Sequence, residues 1–209
     1  MRVAMVPDVE AERLDLARFL DTLDDAEWQA QSLCADWTVR EVVAHLTLAD
    51  REFAATVRRL VRTRGDFDGV TGEMARERAI RYSPAELVAQ IRETAGRPRR
   101  FPMSSAMDPL TDIIVHGQDI ARPLGRARPI SVERALPVLQ HVWTSFFYGT
   151  RKRFAGLRFT AGDADWSWGD GSLEVHGPAA DLILLATSRQ AGLTGLTGDG
   201  SAEVAARLG

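Results

Sequence analysis

Hydrophobic positions recur at helical spacing through the first two-thirds of the chain. Apolar residues from Asp8 to Asp21 follow a period near 3.6 residues and predict an amphipathic helix. The clearest helical pattern follows Thr38, which forms a T-x-x-E capping box with Glu41. That pattern predicts a helix running to Gly65, and a weaker one predicts a helix over Val70–Arg81.

Three more helices are predicted from their starting residues. Ser83 and Pro84 open "SPAELVAQIRET" as an N-cap and a first helical residue. Asp108 and Pro109 open the next segment in the same way, with Asp108 as the expected cap. A further helix is predicted over Ser131–Phe147. The first two-thirds of the chain should therefore form a helical bundle.

The pattern changes after Gly149. The stretch "GLRFTAGDADWSWGDGSLEVHGP" alternates large and small or polar residues between Gly and Asp pairs, which predicts short antiparallel strands with tight turns. "PAADLILLATSRQ" then predicts a helix, and a short terminal helix follows a glycine-rich turn. We expect a mostly α protein of two domains. Residues 1–128 form the bundle, and residues 129–209 form a small α+β domain with an antiparallel sheet and helices.

Composition narrows the possible functions. Among 209 residues, 45% are hydrophobic and 26% charged, which is ordinary for a globular protein. The net charge of −3 argues against a nucleic-acid binder, and the basic run "RPRR" fits a solvated loop. No window resembles a membrane span, and the N-terminal stretch becomes charged before a signal-type apolar run develops. We expect a cytoplasmic monomer or homodimer. The chain has one cysteine, Cys34, so it lacks an internal disulfide, which fits a reducing compartment. We interpret Cys34 as a structural residue.

An acid and an imidazole interrupt the apolar helix "PLTDIIVHGQDIARPLG". Asp112 and His116 are four residues apart, so they share one face about a turn apart. Such a pair is a structural hydrogen bond, a catalytic acid and base, or two ligands of a metal ion. Asp119 follows three residues after His116 as an alternative ligand, although a surface or helix–helix salt link with Arg122 also explains it.

The remaining histidines differ in their surroundings. His45 lies in "EVVAHLTLAD" with Val42 and Ala49 at helical spacing, which directs it towards the bundle interior as a core residue or a ligand. His141 and His176 have no carboxylate at helical spacing, which favours structural roles.

Two segments together resemble a known family. "SLCADWTVREVVAHLTLAD" and "DIIVHGQDIARPLG" are similar to the mycothiol-dependent maleylpyruvate isomerase family of actinobacterial proteins, which belongs to the DinB-like four-helix-bundle superfamily. The tail resembles the small C-terminal domain of that family in "GLRFTAGDADWSWGDGSLEVHGPAADLILLATSRQ" and "LTGDG". The resemblance covers nearly the whole chain and implies a DinB-like four-helix bundle followed by the small domain.

The resemblance also implies a ligand set. The family holds a divalent metal, usually taken as zinc, with one histidine from the second helix and an acid and a histidine four residues apart on a later helix. These correspond here to His45, Asp112 and His116. The isomerases carry Glu at the acid position, whereas Asp112 is one methylene shorter. The shorter side chain would place the ion closer to the Asp112–His116 helix and farther from His45.

The small domain would contribute to binding. An arginine of that domain is thought to hold an acidic substrate or the thiol in the isomerases, and Arg189 in "TSRQ" is the nearest match. A dipole-favoured arginine at a helix end explains the same residue. Trp166 and Trp168 in "DWSWGDG" could form aromatic walls of a pocket or pack in the small sheet.

The function implied is that of a divalent-metal-binding, thiol-dependent transferase or isomerase acting on a small electrophile. Three protein ligands leave an open position, as in catalytic zinc sites. The thiol would be an external one of the mycothiol type. Alternatives are a metal- or ligand-binding module without turnover, a metal-dependent hydrolase, and a structural bundle whose three polar residues only form hydrogen bonds. No catalytic residue is assigned.

Overall fold

The computed structural model describes residues 6–48, 67–97 and 105–209, with side chains omitted at 67 and 68. The chain divides into two compact units, residues 4–128 and residues 129–209. Within the described residues, no helix is long and apolar enough to cross a membrane.

The N-terminal unit is helical, which confirms the predicted fold class. Its described helices are α1 (Val6–Leu20), α2 (Asp25–Gln29), α3 (Val39–Leu46), α4 (Phe67–Arg81), α5 (Pro84–Thr94) and α6 (Asp108–Ala121). Helix α1 packs against α5 and α6, and α3 packs against α4, α5 and α6. The core between them includes Leu16, Val43 and Ile114, none of which is exposed to solvent. The apolar stripes seen in the sequence thus face one another.

Two of the predicted helix starts are present with their caps. Thr38 accepts a hydrogen bond from the backbone of Glu41, whose carboxylate accepts one from the Thr38 backbone in return. Ser83 and Glu86 form the same box at α5. Helix α3 ends at Leu46 with a turn at Thr47, so the predicted helix is not continuous through this point. The rest of the predicted helix, from Ala49 to Gly65, lies outside the described residues. The basic run "RPRR" also lies largely outside them.

The start of α6 differs from the prediction. Asp108 is the first helical residue and not the cap, and Met107 occupies the cap position without a side-chain hydrogen bond. The Asp108 carboxylate instead accepts a hydrogen bond from the backbone N–H of Ser105. The carboxylate therefore orders the turn that precedes the helix.

The C-terminal unit combines helices with a small sheet. Its elements are α7 (Val132–Thr144), a 3₁₀ turn (Phe146–Tyr148), α8 (Thr150–Arg153), β1 (Leu157–Ala161), β2 (Ser167–Trp168), β3 (Leu173–Gly177), α9 (Ala179–Ala186), a second 3₁₀ turn (Gln190–Leu193) and α10 (Ser201–Leu208). Helix α7 stops earlier than the predicted Phe147 because the chain becomes extended at Ser145. Trp143 is fully buried and contacts Phe154, Phe159 and Trp166 in the core of this unit.

The sheet is mixed, so the expectation of a purely antiparallel sheet is wrong. Strand β1 is central, pairing antiparallel with β2 and parallel with β3. After the turn between β1 and β2, the chain returns so that β3 pairs with the free edge of β1 and not with β2. The return passes so close to the start of β1 that a side chain on Gly171 would overlap the carbonyl oxygen of Gly156. Glycine is thus required at this crossing.

Candidate metal centre

His45 comes from the last turn of α3, whose direction is set by the Thr38 capping box. Its side chain is 18% exposed, and its Nε2 lies 3.8 Å from Asp112 Oδ1. Its Nδ1 is buried and has no hydrogen-bond partner among the described residues. The ring of Trp37 lies beside it, with ring centroids 5.2 Å apart. His45 therefore presents Nε2 to α6 from an otherwise apolar position.

Asp112 and His116 face His45 from successive turns of α6. His116 Nε2 lies 3.4 Å from Asp112 Oδ1, and the His45 and His116 rings meet edge to face at 5.0 Å. The His116 side chain is 13% exposed, whereas that of Asp112 is 48% exposed. The apolar neighbours of the pair, including Ile113 and Ile114, are buried and fix this helix in the bundle. The cluster is therefore closed on the histidine side and open to solvent on the carboxylate side.

The three donor atoms fit a divalent ion. One ligand atom each from His45, Asp112 and His116 lies within 4.8 Å of the others. A tetrahedral zinc with bonds of about 2.0–2.2 Å places its ligands roughly 3.3–3.6 Å apart. Of the two histidine–carboxylate separations, 3.4 Å lies within that range and 3.8 Å lies slightly above it. Two imidazoles and one carboxylate are also a donor set that zinc accepts. The residues present thus fit the ion that the sequence predicts.

The electrostatics of the cluster favour its charged forms. Although the Asp112 side chain is half-exposed, partial desolvation opposes its ionisation. Hydrogen bonds and charge attraction from His116 and His45 outweigh this effect and hold the pKa of Asp112 well below its usual range. Burial likewise opposes protonation of His116, but hydrogen bonds to Asp112 and Asp119 prevail and raise its pKa well above the usual value. Without an ion, protonation of His116 therefore stabilises the cluster, since the proton supplies positive charge where a cation would bind.

Asp119 lies on the other side of the His116 ring. Its side chain is fully buried, and Oδ2 lies 2.9 Å from His116 Nδ1. A surface position for Asp119 is therefore wrong, and a salt link with Arg122 stays a prediction. If Asp119 were a metal ligand, the ion would lie at the Nδ1 edge of His116. There Asp119, Cys34 and His116 form a second group of possible ligands. Helical spacing brings Asp119 and Asp112 to opposite edges of one imidazole.

The loop before α3 adds contacts to the site that sequence reasoning missed. Cys34 Sγ lies 3.2 Å from Asp119 Oδ2 and 3.6 Å from His116 Nδ1. The neighbouring backbone N–H of Leu33 donates to the backbone carbonyl of Asp119 at 3.0 Å. Trp37 covers His45 from the same loop. This loop is far from α6 in the sequence, so helical spacing could not predict these contacts. The only signal in the sequence was the family-like motif "SLCADWTV".

An arginine packs against the back of α6. Arg128 is buried and its Nη2 bonds Glu12 of α1 at 2.5 Å. A Cβ built on Gly117 would lie 2.5 Å from Arg128 Nη1, so the guanidinium rests where a side chain would otherwise be. A side chain on the glycine that follows His116 would thus have to displace this guanidinium.

The predicted binding residues of the C-terminal unit have local roles there. Trp166 is buried, and its indole N–H donates to Gln140 Oε1 at 3.1 Å. Trp168 lies beneath the Arg151 guanidinium. Arg189 donates to the carbonyl oxygen of Thr187 at 2.7 Å. Their part in ligand binding stays a prediction. His141 contacts Tyr148, and His176 lies 3.3 Å from Glu174, in line with structural roles.

Comparison with known proteins supports the resemblance. Residues 9–102 match the family model of the mycothiol maleylpyruvate isomerase N-terminal domain, a range that includes His45 but ends before Asp112. The crystal structure of the mycothiol-dependent maleylpyruvate isomerase matches with a TM-score of 0.64 at 14% identity, covering 94% of this chain and 92% of the other. A histidine-to-alanine mutant of that isomerase matches with the same TM-score and coverage at 13% identity. At these identities the likeness shows a shared fold. No curated protein matches the sequence.

Proposed function

We propose, from the membership of residues 9–102 in the mycothiol maleylpyruvate isomerase N-terminal domain family, that this chain is a metal- and thiol-dependent isomerase or transferase. The thiol is external and of the mycothiol type, and the second substrate is a small electrophile. The observation that carries the proposal is the convergence of His45, Asp112 and His116 on a space suited to one divalent ion.

His45, Asp112 and His116 would hold the ion, most simply zinc. When bound there, such an ion lowers the pKa of a thiol in its open position and so supplies a nucleophilic thiolate near neutral pH. The half-exposed Asp112 side chain lies where solvent reaches the cluster, so a thiol would enter on the carboxylate side. His45 and Trp37 form the less exposed wall opposite, which limits access of water to the histidine side.

The short acid distinguishes this chain from the isomerases. A carboxylate on Asp reaches less far than one on Glu, yet Asp112 Oδ1 already lies 3.4 Å from His116 Nε2 and 3.8 Å from His45 Nε2. The site therefore does not need the longer side chain to bring its donors together. This supports Asp112 as a direct ligand that replaces the family glutamate.

Arg189, Trp166 and Trp168 remain our proposed contacts for thiol or acidic substrate. Arginine is suited to a carboxylate because its planar fork binds both oxygens at once. Arg189→Ala should weaken binding of thiol or substrate and leave metal content unchanged. Equal loss of metal, or unchanged binding, would remove Arg189 from this role.

The test begins with metal. Elemental analysis of tag-free protein should give about one zinc per chain, largely lost in His116→Ala and Asp112→Ala. His141→Ala serves as a matched control because its ring packs on Tyr148 in the other unit. A folded wild-type protein that takes up no divalent ion would overturn the proposal.

Turnover is then measured with mycothiol and a panel of small electrophiles that includes maleylpyruvate. Thiol-dependent conversion that requires metal supports the proposal. Conversion by water alone indicates a hydrolase, and metal binding without any conversion indicates a binding module; either result contradicts the proposed reaction.

A further inference from the structure

The two imidazoles of the cluster have unlike surroundings. His45 Nδ1 has no hydrogen-bond partner in the part of the chain that is described. His116 Nδ1, in contrast, lies 2.9 Å from the fully buried Asp119 Oδ2. A neutral histidine carries its proton on one nitrogen only, and the partner of one nitrogen decides what the other can do.

We propose that Asp119 is a positioning residue that keeps the proton of His116 on Nδ1, so that Nε2 presents its lone pair to the space shared with Asp112 and His45. Asp119 accepts from Nδ1–H and does not touch the ion. The ring is thereby locked in both tautomer and orientation. Metal-binding histidines generally rely on such a carboxylate, and losing it costs about 10–100-fold in metal affinity.

Cys34 supports the same carboxylate. Its thiol donates to Asp119 Oδ2 at 3.2 Å, so the oxygen that receives Nδ1–H also receives S–H. The Leu33 backbone N–H fixes the loop to the Asp119 carbonyl, which holds the thiol in place. Cys34 is 3.6 Å from His116 Nδ1. If an ion lay on that side, Cys34 and Asp119 would be its ligands, and Nε2 would not.

This inference rests on the proposed metal site, but its first test does not need a metal. Nitrogen-15 chemical shifts of His116 in metal-free protein, at a pH where the ring is neutral, report which nitrogen is protonated. We expect Nδ1–H in the wild type. A proton on Nε2 would overturn the proposal even if metal binding is found, whereas Nδ1–H with no metal uptake would overturn only the proposed function.

Substitutions then connect the tautomer to affinity. Asp119→Ala removes the acceptor and should release the proton from Nδ1 and weaken cobalt or zinc binding about 10–100-fold. Asp119→Asn can donate to Nδ1 as well as accept from it, so it should weaken the preference for Nδ1–H and lower the affinity, by less than Asp119→Ala does. The variant Asp15→Asn, which alters an ion pair with Arg18 on α1, is the matched control. Unchanged affinity in Asp119→Ala would refute the positioning role. If that variant does not fold, wild-type affinity and an unchanged preference for Nδ1–H in Asp119→Asn would refute it.

Cobalt distinguishes the two sides of the ring. With the ion on Nε2, the cobalt-loaded wild type should show no thiolate-to-cobalt charge-transfer band, and Cys34→Ala should bind within a few-fold of wild type. A thiolate band, or loss of binding in Cys34→Ala while Asp112→Ala still binds, would place the ion on Nδ1 and overturn the proposal.

Discussion

Substituting Gly117 by alanine should destabilise the N-terminal unit and disturb the neighbouring His116. The added Cβ would lie 2.5 Å from Arg128 Nη1 and 2.9 Å from its Cζ, closer than a carbon atom can approach. The guanidinium is the end of a flexible side chain, but it is not free to move. Its Nη2 is bound to Glu12 Oε1, and the two side chains are 5% and 1% exposed.

The magnitude follows from two opposing terms. Alanine in place of glycine inside a helix contributes about 0.5–1 kcal/mol through the lower entropy of the unfolded chain. Separating a buried ion pair costs about 3–5 kcal/mol, because each charge is left without its partner. The net expectation is a loss of about 2–4 kcal/mol in the free energy of unfolding.

Urea unfolding of metal-free protein, followed by circular dichroism, measures this loss. Gly72→Ala in α4 is the matched control, since the nearest atoms to a Cβ at Gly72 belong to the Trp37 ring and lie 3.6 Å away. That variant should be more stable by about 0.5–1 kcal/mol. If Gly117→Ala were as stable as wild type, Arg128 would not be held by Glu12, and the packing account of this glycine would fail.

The remaining predictions concern the caps and the site. Thr38→Ala should lower stability by about 1 kcal/mol by removing the α3 cap, measured by urea unfolding; no change would show that the box is not needed. Because the pKa of His116 is raised in the folded protein, its stabilisation is present below the unfolded value of about 6.5 and is lost as pH rises through the folded value. The free energy of unfolding of the metal-free protein should fall as pH rises over that interval. Zinc affinity should rise over the same interval because binding releases a proton, which calorimetry in buffers of different ionisation heat detects. Zinc affinity that does not depend on pH would contradict this prediction. Asp112→Glu should still bind metal, and loss of metal in that variant would show that the site is built around the shorter acid.

Features governed by neighbours in sequence were predictable. The boxes at Thr38 and Ser83 are formed within four residues, so pattern alone placed them. The Asp112–His116 pair likewise needs only the pitch of α6. Asp108 was misassigned because a cap and a first-turn acid look alike in sequence, and the carboxylate was needed by the turn before it.

Features that depend on distant segments were not predictable. Cys34 and Asp119 are 85 positions apart, so their contact arises only from the packing of a loop on α6. The parallel pairing of β1 with β3 depends on which edge the returning chain takes, and alternation in the sequence does not record that choice. Arg128 against Gly117 is a third case, since glycine in a helix gives no hint of what fills its space.

The contacts of Cys34, Asp112 and Asp119 converge on the His116 ring, and they explain why an apolar helix carries two acids and an imidazole. His116 is held at both nitrogens by carboxylates, one half-exposed and one fully buried, with 48% and 0% of their side chains accessible. A simple structural pair would need only one of them. The buried carboxylate contacts the ring and the Cys34 thiol away from solvent, whereas the accessible one can meet an incoming ligand. Under the proposed function, this difference in exposure assigns the buried carboxylate to orienting the imidazole and the accessible one to the ion and its open position.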